Sequence, residues 1–537
     1  MFLPKWASCH SDTQRLCTAA ILPPTLRKGG EGWGTLIDVV REAGHTGTFR
    51  HMGKMHPTFG ILISKKVERE KMPTQIHFGT SGWRAIVADE FTLPNIRRAI
   101  VGIAGYVAKQ PGEHRILVGR DPRFMGEMFV EEAARLLAER GVVPEVIAGP
   151  APTPAIAYAV RQRKTSGAIN FTASHNPPEY NGIKFSTPDG APALPEVTKQ
   201  IEAEIAALGD AEVRPGAAGK KFETVDVKPD YLKRLAELID IQAIAKAKLR
   251  MVVDPFWGAG RGYAQQLLTE NGVSAVSVHD YRDVLFGGHA PEPDDPLLGD
   301  CKARMRETDA HLGIATDGDA DRFGVVDRDG TFIQPNYIIA LLFEYLVETR
   351  GWRNGVAKSV ATTNCVNALA EHYKIPLYET PVGFKYIGEL IDRDKIAIGG
   401  EESAGLTIRG HVPEKDGILA GLLVAEMVAV RGKTLGEQLQ ALFGKVGSYY
   451  PVRENFHLTQ EAKDNFTKKL KTEPRELAGR KVSAIVRTDG LKLVFDDGSW
   501  VCYRLSGTEP VVRAYTEARS KEDSLKLTAA AKQWVLE

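Results

Sequence analysis

Cysteine is scarce in this chain of 537 residues: Cys9, Cys17, Cys301, Cys365 and Cys502 stand far apart, without the paired spacing of a zinc site or a secreted disulfide framework. A reducing, cytoplasmic setting is expected. An excess of charge of either sign is also missing, since 69 Lys and Arg oppose 68 Asp and Glu for a formal charge of +1. That balance points away from nucleic acid and from an anionic membrane as partners, and leaves any anion site to a local arrangement. No uninterrupted apolar stretch is long enough to span a bilayer. What is present, 43% apolar and 26% charged residues, excludes wholesale disorder. The length exceeds what one core can organise and suggests roughly three or four domains, as in a multidomain enzyme.

The first seventy or so residues carry scattered Gly, His and Pro with no sustained period, as from Gly44 to His51, so poor order is expected there. Gln14, Arg15 and Thr18 interrupt the apolar core that a secretory signal needs, and Met72 is the expected functional start. Beyond it a unit recurs: a basic residue, a short apolar strand, a polar loop, then a segment of helical period. Copies begin at His114-Arg115-Ile116-Leu117-Val118, Leu249-Arg250-Met251-Val252-Val253 and Val356-Ala357-Lys358-Ser359-Val360. Helical patterns follow at Glu131 to Arg140 and Gly262 to Asn271, which gives three β-loop-α units. Gly209 to Lys220 and the stretch near Ser448 to Arg453 read as linkers. The tail, with strand composition at Ser499–Arg504 and Val511–Thr516 and a helical Ser520–Glu537, reads as a separate α+β domain.

Four polar loops carry chemistry. Thr172-Ala173-Ser174-His175-Asn176-Pro177 ends the apolar run Ser166–Phe171 in a tight turn, and Pro177-Pro178 cannot continue it. Ser174 is the candidate chemical centre, although a serine is a weak nucleophile until activated and the adjacent His175 makes no triad. The bland alternative is that Ser174 and Asn176 cap a turn. In Thr316-Asp317-Gly318-Asp319-Ala320-Asp321-Arg322, three alternate carboxylates after the apolar Leu312–Ala315 can converge on one hard cation such as Mg²⁺. An EF-hand is rejected, because its glycine and glutamate places hold Arg322 and Arg328. Arg504-Leu505-Ser506-Gly507-Thr508-Glu509-Pro510 with Arg513 offers an anion cradle at a hairpin loop, phosphate being the natural guest. Gly399-Gly400-Glu401-Glu402-Ser403-Ala404-Gly405 offers hydrogen-bonding groups for sugar hydroxyls. Arg84, Lys184 and Lys385 each stand beside glycines.

Taken in order, Ser174-His175-Asn176-Pro177, the Asp317 to Arg322 loop, Gly400-Glu401-Glu402-Ser403 and the Arg504 to Pro510 loop resemble the α-D-phosphohexomutase family, most closely its phosphoglucomutase members. The resemblance runs from Gln75 to the C terminus. It implies an α/β fold of four domains around a central cleft: three similar α/β domains with mixed sheets, and a C-terminal α+β domain like the TATA-binding protein. The expected divisions are 1–72 as a disordered or spurious extension, 73–212 with the phosphoserine loop, 213–330 with the metal loop, 331–450 with the sugar-binding loop and 451–537 with the phosphate-binding loop.

By the same resemblance Ser174 rests as a phosphoserine, and Mg²⁺ lies between its phosphate and Asp317, Asp319 and Asp321. Arg322 helps offset charge that would otherwise repel a sugar phosphate, roughly 4 kcal/mol per like pair at about 4 Å and an effective dielectric near 20. Lys184 is the expected general acid/base, with His175, Arg84 and Lys385 orienting phosphoryl oxygens. Arg504, Ser506, Gly507, Thr508 and Arg513 receive the substrate's own phosphate, and Glu401 and Ser403 grip the sugar. The implied reaction interconverts glucose 1-phosphate and glucose 6-phosphate, with glucose 1,6-bisphosphate as intermediate and activator. The implied partners are small hexose phosphates, for a monomer or small homo-oligomer. Gly405 stands where dual-specificity phosphomannomutases carry histidine, which favours glucose over mannose; phosphoglucosamine mutase is a further alternative. A Mg²⁺-dependent sugar phosphatase and a non-catalytic sugar-phosphate sensor are the readings from other classes.

Overall fold

Fully buried runs such as Ile116-Leu117-Val118 and Val252-Val253 become strands covered by helices on both sides. The structure, a computed structural model, describes residues 75–536 apart from 80, 81, 215, 218, 220 and 506–510. The expected extension and Met72 lie outside the described residues, which belong to one compact unit.

The first sheet contains β1 (Trp83–Ile86), β2 (Arg115–Arg120), β3 (Val143–Ile147), β4 (Ala168–Phe171), β5 (Tyr180–Ser186) and β6 (Glu223–Val225), in the order β1-β5-β4-β2-β3-β6. The second contains β7 (Arg250–Asp254), β8 (Ser274–Ser277), β9 (Leu312–Thr316) and β10 (Phe323–Asp327), ordered β10-β9-β7-β8. The third contains β11 (Val356–Ser359), β12 (Leu377–Thr380), β13 (Ile398–Glu401) and β14 (Gly405–Ile408), ordered β14-β13-β11-β12. One motif therefore recurs three times. A first strand (β2, β7, β11) pairs in parallel with its successor on one side and with a third strand (β4, β9, β13) on the other, and that third strand turns back into an antiparallel fourth.

The fourth sheet is antiparallel, built from β15 (Tyr450–His457), β16 (Glu476–Leu477), β17 (Arg480–Val486), β18 (Leu491–Phe495), β19 (Trp500–Leu505) and β20 (Val511–Ala518), ordered β15-β20-β19-β18-β17-β16. Its alternation separates two faces. Leu491, Leu493, Val501, Tyr503, Val512 and Ala514 share a core with the helices Gln460–Lys469 and Lys521–Leu536. On the other face Trp500, Cys502 and Tyr515 pack on Val360 and Ala361 of the third domain.

The expected linker Gly209 to Lys220 is irregular where it is described, whereas the second expected linker differs from the structure in part. The first sheet runs past residue 212, because β6 pairs with β3 beyond the irregular stretch that follows the helix Pro195–Ala207. Ser448 to Arg453 is not a linker throughout: from Tyr450 it is β15, paired with β20 from Tyr450↔Ala518 to His457↔Val511. As an edge strand with several half-exposed positions it carries few apolar residues, which is why it reads as loop. Among the described residues no helix is long and apolar enough to cross a membrane.

Candidate active site

The repeated motif places three of the four chemical loops at one equivalent point. The connection between the third and fourth strands carries Ser174 in the first domain, the aspartate triplet in the second and Glu402 to Ala404 in the third. The fourth falls between β19 and β20, where Arg504 stands directly opposite Arg513. Ser506, Gly507 and Thr508 lie outside the described residues.

Ser174 sits in a buried turn with φ +52°, the left-handed region that L-residues avoid. Its Oγ donates to Asp317 Oδ2 at 2.7 Å and lies 3.3 Å from His175 Nδ1. A Cβ on Gly318 would stand 2.5 Å from Ser174 O, so only glycine lets the second domain's loop approach the serine this closely. Burial, reinforced by Arg322 and Arg84, lowers the His175 imidazole well below its ordinary value and keeps it neutral. Arg84, on β1, donates to Asn176 Oδ1 at 2.7 Å, and burial lowers its guanidinium too.

Asp317, Asp319 and Asp321 are fully buried, with ligand oxygens within 4.8 Å of one another. Lys184, on β5, donates to Asp319 Oδ2 at 2.6 Å and Asp321 Oδ2 at 2.7 Å. Asp319 Oδ1 and Asp321 Oδ1 have no hydrogen-bond partner. Orphaned buried carboxylate oxygens are costly, and two of them in a three-carboxylate cluster fit a hard divalent cation with oxygen ligands. The triplet is uneven. Burial and then the charges of Asp321 and Asp319 raise Asp317 well above the carboxylate range. Burial pushes Asp321 the same way, but Lys184, Lys415 and Arg322 hold it well below. Burial likewise opposes the Lys184 ammonium, yet Asp319 and Asp321 outweigh it and shift that group upward.

The sugar-loop residues divide between strand and turn. Glu401 ends β13 rather than lying in a loop, because Gly399 and Gly400 extend the strand. A Cβ at either would collide with Ile387 or Ile339, so these glycines let helices pack directly on the strand. Glu401 Oε1 accepts from Gly383 N–H at 2.7 Å; burial and the neighbouring Glu402 raise its carboxyl to about 7. Ser403 is in the turn, and Lys385 opens the helix Phe384–Asp392, half-buried. Arg504 is held by Asp489 Oδ2, 2.8 Å from Nε and 2.7 Å from Nη2, and the same oxygen accepts Val382 N–H at 3.0 Å. One carboxylate thus ties the end of β19 to the loop that leads into Gly383 and Lys385. Arg322 Nη1 donates to Glu292 Oε1 at 3.2 Å, and the charges of Arg453 and Arg513 also reach Glu292.

Ser174, His175, Arg84, Lys184, Arg322 and the three aspartates are therefore brought together, while Glu401 and Arg504 join through Gly383, Val382 and Asp489. Sequence reasoning missed three supporting residues. Lys415 donates to Asp321 Oδ2 at 2.7 Å. Thr153, at the start of the helix Thr153–Arg163, donates through Oγ1 to Asp319 Oδ2 at 2.5 Å and accepts from Asn170 Nδ2 at 3.0 Å. Arg123 is buried against the serine loop. The signal available for it was Arg120-Asp121-Pro122-Arg123 at the end of a strand.

The class follows from how the parts are shared: no domain holds a complete site, and a serine poised beside a carboxylate triplet and cations suits movement of a phosphoryl group, so this is a multidomain phosphotransferase. Models of the phosphoglucomutase/phosphomannomutase α/β/α domains I, II and III match residues 75–212, 229–330 and 334–446, and the model of the C-terminal domain matches 455–531. A phosphoglucomutase/phosphomannomutase of Thermococcus kodakarensis is 33% identical, covering 83% of this chain and 95% of that one. Human phosphoglucomutase-1 is 30% identical over 83% of this chain and 90% of that one. A crystal structure from Thermus thermophilus, assigned as a phosphomannomutase, superposes with a TM-score of 0.75 at 33% identity, covering 86% of this chain and 99% of that one. The chain belongs to the phosphoglucomutase/phosphomannomutase family, the α-D-phosphohexomutases, and is an intramolecular phosphotransferase acting on hexose phosphates.

Proposed function

We propose that the protein is a phosphoglucomutase, converting α-D-glucose 1-phosphate and glucose 6-phosphate reversibly through phosphoserine 174 and glucose 1,6-bisphosphate. The observation that carries the reading is the contact of Ser174 Oγ with the aspartate triplet, 2.7 Å from Asp317 Oδ2. A cation held by Asp317, Asp319, Asp321 and the serine phosphate would offset charge on the transferring group. The substrate's own phosphate binds Arg504, Ser506, Gly507, Thr508 and Arg513, and its distal hydroxyl faces phosphoserine 174. An O–P bond forms to that hydroxyl as the Ser174 O–P bond breaks, the hydroxyl proton passes to a base, and the leaving Ser174 Oγ takes a proton from an acid. The bisphosphate then turns over, Glu401 and Ser403 hold the sugar in either orientation, and Ser174 takes back the other phosphoryl group.

Lys184 enters as an ammonium clasped by Asp319 and Asp321. It acts first as charge neutraliser and acid, and becomes a base only if those carboxylates turn away. Neutral His175 offers a nitrogen base 3.3 Å from the serine oxygen. Arg84, Arg322 and Lys385 stabilise phosphoryl oxygens. Glucose is the proposed substrate because Gly405 stands where dual-specificity phosphomannomutases carry histidine, and a side chain there would fall on the stem of Lys415, which holds Asp321.

The test is conversion of glucose 1-phosphate with Mg²⁺ and a trace of glucose 1,6-bisphosphate, beside mannose and glucosamine phosphates, with free phosphate read in parallel. Rapid isomerisation of the glucose compound, lost with chelator and in Ser174→Ala, supports the reading. Preference for mannose or glucosamine phosphate overturns the substrate, and steady phosphate release without isomerisation overturns the mutase in favour of a phosphatase.

A further inference from the structure

We propose that Arg123 is a positioning residue that holds Ser174 in its left-handed backbone conformation and so aims the Oγ at the aspartate triplet. The inference rests on Ser174 being the phosphoryl carrier. Arg123 is 1% exposed, and all five of its N–H donors are committed. Nη2 donates to Ser174 O at 2.8 Å and Asn176 O at 2.6 Å; Nη1 donates to Pro177 O at 2.8 Å and Tyr180 O at 2.9 Å. Nε donates to Asp121 Oδ2 at 3.1 Å. Four carbonyls of one short loop thus converge on a single guanidinium, whose planar fork can meet them together where a lysine ammonium, with three donors, cannot.

The same residue closes a circuit around the serine. Asp121 Oδ2 accepts from Thr172 Oγ1 at 2.6 Å, and Thr172 Oγ1 accepts from Ser174 N–H at 2.9 Å. Both backbone groups of Ser174 are therefore fixed by Arg123, its carbonyl directly and its amide through Asp121 and Thr172. A non-glycine residue at φ +52° needs such an outside restraint, since its own Cβ disfavours the conformation. The Phe286 ring of the second domain lies under the guanidinium, 4.9 Å from centroid to Cζ. Arg123 touches neither Ser174 Oγ nor the sugar-loop residues, so its loss misdirects the nucleophile while leaving sugar and phosphate recognition in place.

The experiment uses the full chain and its Arg123→Lys and Arg123→Met variants, with circular dichroism and thermal melting to establish folding. Phosphorylation of Ser174 by glucose 1,6-bisphosphate is followed by intact mass in single turnovers, and kcat and KM are measured separately. A misaim of about 1 Å is worth roughly a hundredfold in rate. The expected result is a kcat and a phosphorylation rate reduced about a hundredfold in Arg123→Met, a smaller loss in Arg123→Lys, and a KM for glucose 1-phosphate within about twofold of wild type. A folded variant of either kind with phosphorylation at the wild-type rate overturns the proposal, as does a loss expressed in KM with kcat intact. Should Arg123→Met fail to fold, Arg123→Lys carries the same comparison. Failure of the parent reading is separate, because the wild-type chain itself would then take no phosphoryl group from the bisphosphate.

Discussion

Replacing Glu401 by glutamine removes a charge that the fold holds unfavourably, and the size of the effect follows from its surroundings. The carboxyl is 4% exposed, accepts Gly383 N–H at 2.7 Å, and is raised from 4.5 to about 7 by burial and by Glu402. Keeping it ionised costs roughly 3 kcal/mol relative to the unfolded chain. Because the native form binds the proton more tightly, the contribution of this carboxyl to stability is greatest below pH 4.5 and declines as pH rises through the window to about 7, then levels off. Glutamine preserves the acceptor for Gly383 and carries no charge. Glu401→Gln is therefore expected to lie within about 1 kcal/mol of wild type at pH 5 and to be about 2–3 kcal/mol more stable at pH 8. Urea titrations at both pH values, compared at a common slope, measure the difference. An advantage that is equal at the two pH values, or that shrinks as pH rises, refutes the reasoning. In the mutase assay the same variant should raise KM for glucose 1-phosphate roughly tenfold or more, the worth of a charge-assisted hydrogen bond to a sugar hydroxyl.

Mg²⁺ at a hundred times its Kd should stabilise wild type by about 2.7 kcal/mol in thermal melts, and Asp319→Ala should gain nothing from the ion; full stabilisation of the variant would place the cation elsewhere. Gly405→His must displace the Lys415 stem, so it should lower stability by about 1–3 kcal/mol and reduce glucose 1-phosphate turnover; an unchanged melting temperature would show that the space exists. Arg504→Lys keeps the charge and loses the fork, so KM for the sugar phosphate should rise about tenfold with kcat nearly constant. A loss confined to kcat would remove Arg504 from the phosphate cradle.

The parts of this site that could be read from the sequence are those whose chemistry is written in a few consecutive residues. Three carboxylates at alternate positions after an apolar strand mark a candidate cation site in the sequence itself, and Ser174 stands in a turn that its flanking strand and prolines already define. The residues that make those groups work were not legible, because each is ordinary in its own segment and acquires its role across a long sequence separation. Arg123 meets Ser174 from 51 positions away, Lys415 meets Asp321 from 94, and Thr153 meets Asp319 from 166. The strand character of Tyr450–Arg453 was hidden for a related reason: it depends on pairing with β20, which arrives roughly sixty residues later in the chain. What connects the two levels is the recurring strand arrangement. Because the third strand of each α/β domain turns back into an antiparallel fourth, one local motif delivers its turn to the same relative place three times, and the turn is free to carry a serine, a carboxylate triplet or the Glu402 to Ala404 segment. The repeat brings the three turns to equivalent places, and Arg123, Lys415 and Thr153 hold the serine and aspartate turns there through long-range contacts. Substitutions in the turns should accordingly change what reaction is possible, whereas loss of Arg123 should change its rate while leaving the substrate recognised.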